Sequence, residues 1–277
     1  MDRGARAGAW AVTGAALLFA LFPVYWLALT AFRPRGEIFS RPVSFLPRNL
    51  TLENVRTVWF GSATSDPVLP FLGTSLVIAG ASTLLATALG VMAAYGMARH
   101  RAGGRGFAMW LLSQRFLPAV ALIVPLFVIF RKLGLLDTHL GLILLYTTLN
   151  VPLAVWLMLG FVRGLPADLD EAALIDGASP LQAFLKVGLP LLRPGMAVTA
   201  LFTFIFSWNE FLFAYQLAGD EVATVTVYLP RLRSAIAELF GEIAAASLLS
   251  VLPAFVLAWA MQKHLVHGLT FGGGREE

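Results

Sequence analysis

Four stretches of this chain contain no aspartate, glutamate, lysine or arginine, and this feature limits the possible fold more than any other. They are residues 9–32, 67–98, 140–162 and 243–262. A helix of about 20 apolar residues spans the hydrocarbon core of a bilayer, and each stretch is that long. Within lipid a helix satisfies its backbone hydrogen bonds inside one segment. The sequence therefore predicts an all-α membrane protein.

Two further apolar stretches each carry one charge, Arg115 in one and Glu210 in the other. Both can still insert, because a central charge costs about 2.5 to 3.5 kcal/mol while many apolar residues each contribute about −0.3 to −0.6 kcal/mol. With 58% apolar and only 13% charged residues, the chain is predicted to be polytopic. Its six transmembrane helices are expected at about 9–32, 70–98, 107–130, 140–162, 195–218 and 243–262.

The composition also excludes several kinds of site. Without cysteine, the chain has no disulfide, thiolate metal site or cysteine nucleophile. No Gly-x-x-x-x-Gly-Lys-Ser/Thr motif occurs, so we expect no nucleotide cofactor on this chain. His264 and His267 lack a carboxylate companion and are better explained as a helix end than as a metal site. The scattered arginines suit lipid headgroups, and no nucleic-acid partner is expected.

A polar segment at residues 166–194 interrupts the apolar runs and has the pattern of a helix-turn-helix. A first short helix should end near Ile175, and Gly177 can adopt the positive φ that such a stop requires. Negative charge near the start of this helix is stabilising. It is carried by Asp168, Asp170 and Glu171.

A second short helix should follow this turn. Ser179, Pro180 and Gln182 have the residue types of an N-cap, a first helical residue and a reciprocal capping partner. Pro190 and Pro194 are expected to close this second helix. On these features alone the segment could be an ordinary surface hairpin.

The same segment resembles the EAA loop of importer-type ATP-binding-cassette permeases. The family pattern of Glu-Ala-Ala, Asp-Gly-Ala, Phe, Leu-Pro and a final Pro falls on Glu171, Ala172, Ala173, Asp176, Gly177, Ala178, Phe184, Leu189, Pro190 and Pro194. In that family the loop docks on the ATPase. The resemblance implies that residues 166–194 form a cytoplasmic coupling helix-turn-helix, and that the first seven matched residues couple it to the ATPase.

Four other motifs resemble carbohydrate-type importers, and in particular the subunit similar to the second permease of the maltose system. They lie at 51–54, 133–138, 207–211 and 268–270, whereas the tail at 271–277 departs from the pattern. The resemblance implies one permease half of an ATP-driven sugar importer that works by alternating access. Its implied partners are nucleotide-binding ATPase subunits that hold ATP and magnesium, a second homologous permease, an extracytoplasmic solute-binding protein and the lipid bilayer.

Six spans place both termini on one side of the membrane. Lysine and arginine are nearly balanced between the two sides, but Arg99, Arg101 and Arg105 crowd one very short loop. The positive-inside rule works best for such loops. We therefore expect this loop, residues 1–8 and the tail at 263–277 to be cytoplasmic, with the spans in a bacterial inner membrane. The resemblance agrees, because an EAA loop must meet its ATPase in the cytoplasm.

The polar residues within the predicted spans have two interpretations. Glu210, with Asn209 and Asn150, is a candidate for the translocation pathway, since ionisable groups in a span usually face a cavity or the bundle interior. The alternative is a hydrogen bond from Glu210 to Asn150 or a similar partner that only holds helices together. Arg115 is expected near the inner interface, with its side chain extended towards the headgroups.

Other functions remain open on the sequence alone. A related importer for another solute, such as glycerol phosphate or a polyamine, would share the EAA loop but should lack the carbohydrate-type motifs. A proton-coupled secondary transporter could use Glu210 as its relay. An intramembrane enzyme would need a catalytic constellation, and neither a Ser/His pair nor paired carboxylates are evident in the sequence.

Overall fold

A computed structural model describes residues 3–62, 65–104, 106–232 and 239–272, with side chains described between residues 8 and 262 of those ranges. Arg105 and the side chains of His264 and His267 lie outside this part of the chain. Within it the regular elements are helices, apart from one isolated bridge between Ser62 and Ser65. The predicted all-α class is confirmed.

The helices follow one another along the chain with short connections. They are α1 (Arg3–Ala31), α2 (Arg35–Ile38), α3 (Glu53–Phe60), α4 (Val68–His100), α5 (Phe107–Ser113), a 3₁₀ turn (Gln114–Phe116), α6 (Ala119–Leu133), α7 (His139–Gly164), α8 (Asp168–Ile175), α9 (Pro180–Ala183), a π segment (Phe184–Gly188), α10 (Leu189–Leu191), α11 (Arg193–Trp208), α12 (Leu212–Leu217), α13 (Val225–Arg231) and α14 (Phe240–Gly272).

Within the described part, four helices are long and apolar enough to cross a membrane. They are Gly8–Ala31 of α1, α4, α7 and Phe240–Gln262 of α14. Two more candidates are bent pairs: Phe107–Phe116 with Ala119–Leu133, bent by 93°, and Pro180–Leu191 with Arg193–Trp208, bent by 73°. The number of spans is six if each bent pair crosses once, and the membrane boundaries of the six remain a prediction.

The predicted span at 107–130 is broken near its middle. Leu117 has an extended conformation with ψ of 128°, and α6 begins only after Pro118. A residue before proline is disfavoured in the helical region because the proline ring clashes with its backbone. Pro125, which also lies in this span, is tolerated inside α6. The sequence therefore contained the reason for this break.

The predicted span at 195–218 is also divided. Helix α11 ends at Trp208, and α12 starts after a three-residue break. Glu210 lies in this break, where its carboxylate accepts the N–H groups of Phe213 and Ala214, both at 3.1 Å. The first N–H groups of a helix have no partner within it, so a carboxylate at this position stabilises the start of α12. Glu210 thus lies between two helices and not inside one.

The chain divides into two compact units, and the larger comprises residues 71–227 and 253–277. One apolar cluster in it joins α4, α7 and the polar segment through Tyr95, Met158 and Phe184. Helices α4 and α7 approach closely at Gly90, where an added Cβ would lie 2.6 Å from the Cβ of Ala154. Small residues at such positions permit close helix packing.

The smaller unit comprises residues 1–70 and 228–252. Its best-defined contact is made by Asn54, a buried residue of the 51–54 motif, whose amide donates to the carbonyl oxygens of Ala31 (2.9 Å) and Arg33 (2.8 Å). These carbonyls lie at and just beyond the end of α1, where helix acceptors lose their partners. The motif therefore holds α3 against the end of α1.

Candidate functional site

The turn between α8 and α9 is built around Gly177. Its N–H donates to the carbonyl oxygen of Leu174 (3.1 Å), and the N–H of Ala178 donates to that of Ala173 (3.0 Å). This pair of bonds is the Schellman arrangement that closes helices. The φ of Gly177 is +85°, and an added Cβ would meet no heavy atom within 4 Å. The prediction of a positive φ at this turn is confirmed.

The start of α9 is fixed by a capping box. The N–H of Gln182 donates to the hydroxyl oxygen of Ser179 (3.3 Å), and the N–H of Ser179 donates to the amide oxygen of Gln182 (2.9 Å). Pro180 occupies the first turn, where its missing N–H costs nothing. These are the three roles predicted from the sequence, and they give α9 a defined direction after the turn.

The prediction that Pro190 and Pro194 close this second helix was wrong. The π segment Phe184–Gly188 and α10 carry the helical path onward to α11, and each proline lies in the first turn of its segment, Pro190 in α10 and Pro194 in α11. A proline is tolerated there because the N–H groups of a first turn need no partner within the helix. The polar segment is therefore continuous with α11, apart from the 73° bend.

The polar segment is anchored to α4 by Asp170. One carboxylate oxygen accepts the hydroxyl of Tyr95 (2.8 Å), and the other accepts the Nε–H of Arg99 (2.5 Å). Arg99 also donates to the carbonyl oxygen of Leu165 (3.0 Å). The ring of Phe184 packs 4.7 Å from that of Tyr95. Two contacts, one polar from α8 and one apolar from the π segment, thus join the polar segment to the end of the same long helix.

Sequence reasoning missed this anchor. Asp170 was interpreted only as charge at a helix start and Arg99 only as part of a cationic loop, and the two residues are 71 positions apart. Both side chains are mostly buried, at 14% exposure for Arg99 and 13% for Asp170. An acidic residue beside the EAA pattern and an arginine at a span end were the available signals, but neither identifies the other as its partner.

The seven predicted coupling residues do not all lie on the surface. Ile175 and Leu181 add exposed apolar area to the segment, at 86% and 65%. The exposed coupling residues are Glu171, Ala172, Asp176 and Gly177; Ala173 and Ala178 are half-buried, and Phe184 is buried. Phe184 therefore acts within this chain as an anchor, while the others are available to a partner protein.

The candidate pathway residues form hydrogen bonds to two different sets of partners. Glu210 accepts the hydroxyl of Tyr146 (3.0 Å), in addition to the two backbone donors of α12. Asn150 instead donates to the hydroxyl oxygen of Ser207 (2.9 Å), which is also 3.0 Å from the hydroxyl of Ser82. The suggested partner of Glu210, Asn150, is thus replaced by Tyr146. This arrangement joins α7 to α11 and α12, and any pathway role stays a prediction.

Arg115 contacts other helices, whereas the sequence predicted a side chain extended towards the headgroups. Its guanidinium lies over the ring of Phe206, 4.6 Å from the centroid, and donates to the carbonyl oxygen of Leu149 (3.3 Å). Asn209, one turn after Phe206, is exposed, and its amide donates to the carbonyl oxygen of Ile205 (2.8 Å). The charged group therefore lies beside the middle of α7.

Among the described residues, no group of three or more histidine, aspartate and glutamate side chains is arranged to hold a metal ion. The titratable residues that do cluster are ion-paired or capped by backbone donors, as Asp170 and Glu210 are. Neither arrangement provides a nucleophile next to a base, so no catalytic constellation is formed by these residues.

Comparison with known proteins identifies the family. Residues 86–270 match the family described as binding-protein-dependent transport system inner membrane component. The trehalose transport system permease protein SugB of Mycobacterium tuberculosis is 36% identical, over 96% of this chain and 97% of that protein. The trehalose/maltose transport system permease protein MalG of Thermococcus litoralis is 34% identical, over 96% of each.

The fold is also similar to a solved structure. A chain of a bacterial ATP-binding-cassette transporter involved in the import of the acidic polysaccharide alginate superimposes with a TM-score of 0.78, covering 95% of this chain and 98% of that one at 21% identity. This likeness concerns the fold. The resemblance inferred from the EAA pattern is confirmed, and the chain belongs to the family of binding-protein-dependent transport system inner membrane components, which are multi-pass transport subunits and not catalytic ones.

Proposed function

We propose that this chain is one of two permease subunits of an ATP-driven importer that carries a sugar or oligosaccharide across the bacterial inner membrane. The observation that carries the proposal is the polar segment, an exposed helix-turn-helix tied to α4 by Asp170 and Phe184. The printed names of several similar proteins refer to transport of trehalose, maltose or diacetylchitobiose, which supports a carbohydrate as the solute.

The polar segment serves as the docking site for a nucleotide-binding ATPase subunit. Its exposed face combines Glu171 and Asp176 with the apolar side chains of Ile175 and Leu181, so it offers charge pairing at the edge and apolar burial at the centre. ATP and magnesium are bound by the partner, because the sequence of this chain contains no phosphate-binding Gly-x-x-x-x-Gly-Lys-Ser/Thr motif.

The contacts within this chain give a route from docking to transport. When two ATPase subunits close on ATP, the segment moves with them, and the Asp170–Arg99 pair passes that movement to α4. The π segment and α10 pass it to α11. A rigid anchor on one helix and a continuous connection to another let one partner reorient both, as alternating access requires. A solute-binding protein delivers the sugar from outside, and a second permease completes the pathway.

The orientation follows from this proposal. Both termini and the polar segment lie in the cytoplasm, with the loop after α1 outside. The cations near this loop support the orientation, with Arg99 in the last turn of α4 and Arg101 in the short connection after it.

A reconstituted importer tests the proposal. The neighbouring genes are searched for an ATPase, a second permease and a binding protein, these are co-purified with the chain, and uptake of radiolabelled trehalose and maltose into proteoliposomes is measured with and without ATP. We expect uptake to require ATP and the binding protein and to be unaffected by a protonophore. Uptake driven by a proton gradient without ATP would refute an ATP-driven importer, and ATP-dependent uptake of a polyamine alone would refute a carbohydrate solute.

A further inference from the structure

Arg115 places a positive charge beside the middle of a membrane span. Its acceptor, Leu149, is about 15 Å from the start of α7 and about 22 Å from its end, at 1.5 Å per residue. The side chain is exposed on this chain and is held sideways by the ring of Phe206. A guanidinium has five N–H donors, and among the described residues it makes one hydrogen bond, so most donors are open to another acceptor.

A guanidinium with open donors at this depth cannot face hydrocarbon. Charged groups inside spans face a bundle interior or a water-filled cavity, because lipid offers no acceptor. The open side of Arg115 must therefore meet water and solute, or a polar surface of a partner subunit.

The backbone around Arg115 favours the first of these. The bent pair of α5 and α6 breaks at Leu117 and Pro118, directly after the 3₁₀ turn that carries Arg115. Helix α11, which carries Phe206, ends two residues after it, at the break that precedes α12. Non-helical backbone at membrane depth is tolerated only where it is buried in protein or lines a water-filled cavity. Leu117 is 52% exposed on this chain, and solute sites in transporters form from such interrupted helices.

We propose that Arg115 lines the translocation pathway and donates hydrogen bonds to the hydroxyl groups of a neutral sugar as it passes the middle of the membrane. The proposal rests on the importer function above and assigns it a solute-contacting side chain. Asn209, exposed on the same face of the chain as Phe206, adds an amide to the same surface. Sugar hydroxyl oxygens accept hydrogen bonds, so a solute rich in them can use the open guanidinium donors.

Cysteine labelling tests the location of Arg115 without requiring transport. The chain contains no cysteine, so Arg115→Cys in the assembled importer, with cysteine-free partner subunits, offers one thiol to methanethiosulfonate ethylsulfonate, an anionic reagent that reacts from water. Leu18→Cys, exposed in the apolar helix α1, and Val43→Cys, exposed in the loop after α1, are the unreactive and reactive controls. We expect Arg115→Cys to react in the nucleotide-free or the vanadate-trapped state and to be slowed by the transported sugar.

A lack of reaction in both states would place Arg115 against the second permease and overturn the proposal. If Arg115→Cys fails to assemble, Phe206→Cys is labelled in its place, with the same two outcomes. Whether the thiol reacts in either state does not depend on which solute is carried, so a failure to import trehalose or maltose would count against the proposed function and not against the location of Arg115.

Uptake measurements test the contact itself. Arg115→Met should lower the maximal rate of trehalose or maltose uptake by about tenfold or more, as expected for loss of a hydrogen bond from a charged donor, while the concentration for half-maximal uptake, set by the binding protein, changes little. Arg115→Lys should retain much of the rate, and Arg131→Met, at the exposed end of α6, should be neutral. An unchanged rate in Arg115→Met, with normal subunit assembly, would overturn the assigned contact.

Discussion

At the scale of single residues, a few positions of the polar segment have different structural and binding roles. Gly177 supplies a backbone conformation, with φ of +85°, while Glu171 supplies exposed charge and Phe184 a buried ring. Substitutions at these positions should therefore impair ATPase binding by different mechanisms. A backbone change at Gly177 should misdirect the segment, whereas loss of a surface charge should only weaken binding.

We expect Gly177→Val to abolish ATPase association and sugar uptake while leaving membrane insertion intact. The space around an added Cβ is open, so the cost is backbone strain, about 1 to 3 kcal/mol for a β-branched residue at positive φ. Gly177→Asn is the matched control, because asparagine tolerates this conformation, and it should retain association. The measurement is the amount of ATPase that co-purifies with each variant at equal expression. If Gly177→Val binds the ATPase as well as the wild-type chain does, the polar segment is only a surface hairpin.

We expect Glu171→Ala to weaken ATPase binding without abolishing it. An exposed charge pair contributes up to about 1 kcal/mol, so affinity should fall by roughly fivefold or less and the effect should shrink at high salt. The control is Glu221→Ala, which removes an exposed acidic residue elsewhere and should leave binding unchanged. Titration of purified ATPase onto the permease at two salt concentrations measures the affinity of each variant and its salt dependence. An equal loss of affinity in Glu171→Ala and Glu221→Ala would contradict a contact at Glu171.

At the scale of elements, the structure shows how short helices become part of a membrane domain. Helix α8 has eight residues and α9 has four, lengths at which an isolated helix is unstable in water. Their stability comes from the Schellman turn, the capping box and the anchor on α4. The anchor also couples the polar segment to α4, since a displacement of α8 is transmitted to α4 through Asp170.

Asp170→Asn should therefore uncouple ATP hydrolysis from uptake. The substitution removes the charge that pairs with the mostly buried Arg99, and hydrogen bonds to charged groups contribute about 1.5 to 3 kcal/mol. We expect the ATPase to remain bound and active while sugar uptake falls by tenfold or more. Asp168→Asn, which is exposed on the same helix, leaves the anchor intact and should be nearly neutral. Equal sugar uptake by Asp170→Asn and Asp168→Asn would contradict the transmission of movement through Asp170.

At the scale of the whole molecule, the proposed orientation makes the polar segment cytoplasmic. In the cysteine-free chain expressed without its ATPase, Ile175→Cys, 86% exposed, should resist a membrane-impermeant thiol reagent in intact spheroplasts and react in inverted vesicles. Val43→Cys, 58% exposed in the loop after α1, should show the opposite pattern. Labelling of Ile175→Cys from outside intact spheroplasts would overturn both the orientation and the docking role.

The sequence by itself determined the features that depend on neighbours in the chain. The charge-free runs required membrane helices, because length and apolarity alone decide insertion. The positive φ of Gly177 and the capping box at Ser179 could be predicted since each depends on residue types within a few positions. The break before Pro118 also has a local cause, because proline restricts the residue that precedes it.

Tertiary structure alone decided which distant polar groups meet. Asp170 finds Arg99 across 71 positions and Glu210 finds Tyr146 across 64, and both pairings depend on which helix faces are brought together by packing. Arg115 was expected to extend towards the headgroups, but the approach of α7 and α11 offers it a carbonyl oxygen and an aromatic ring at mid-span. Composition and periodicity describe each helix separately, whereas partners for buried polar groups exist only once the helices are packed.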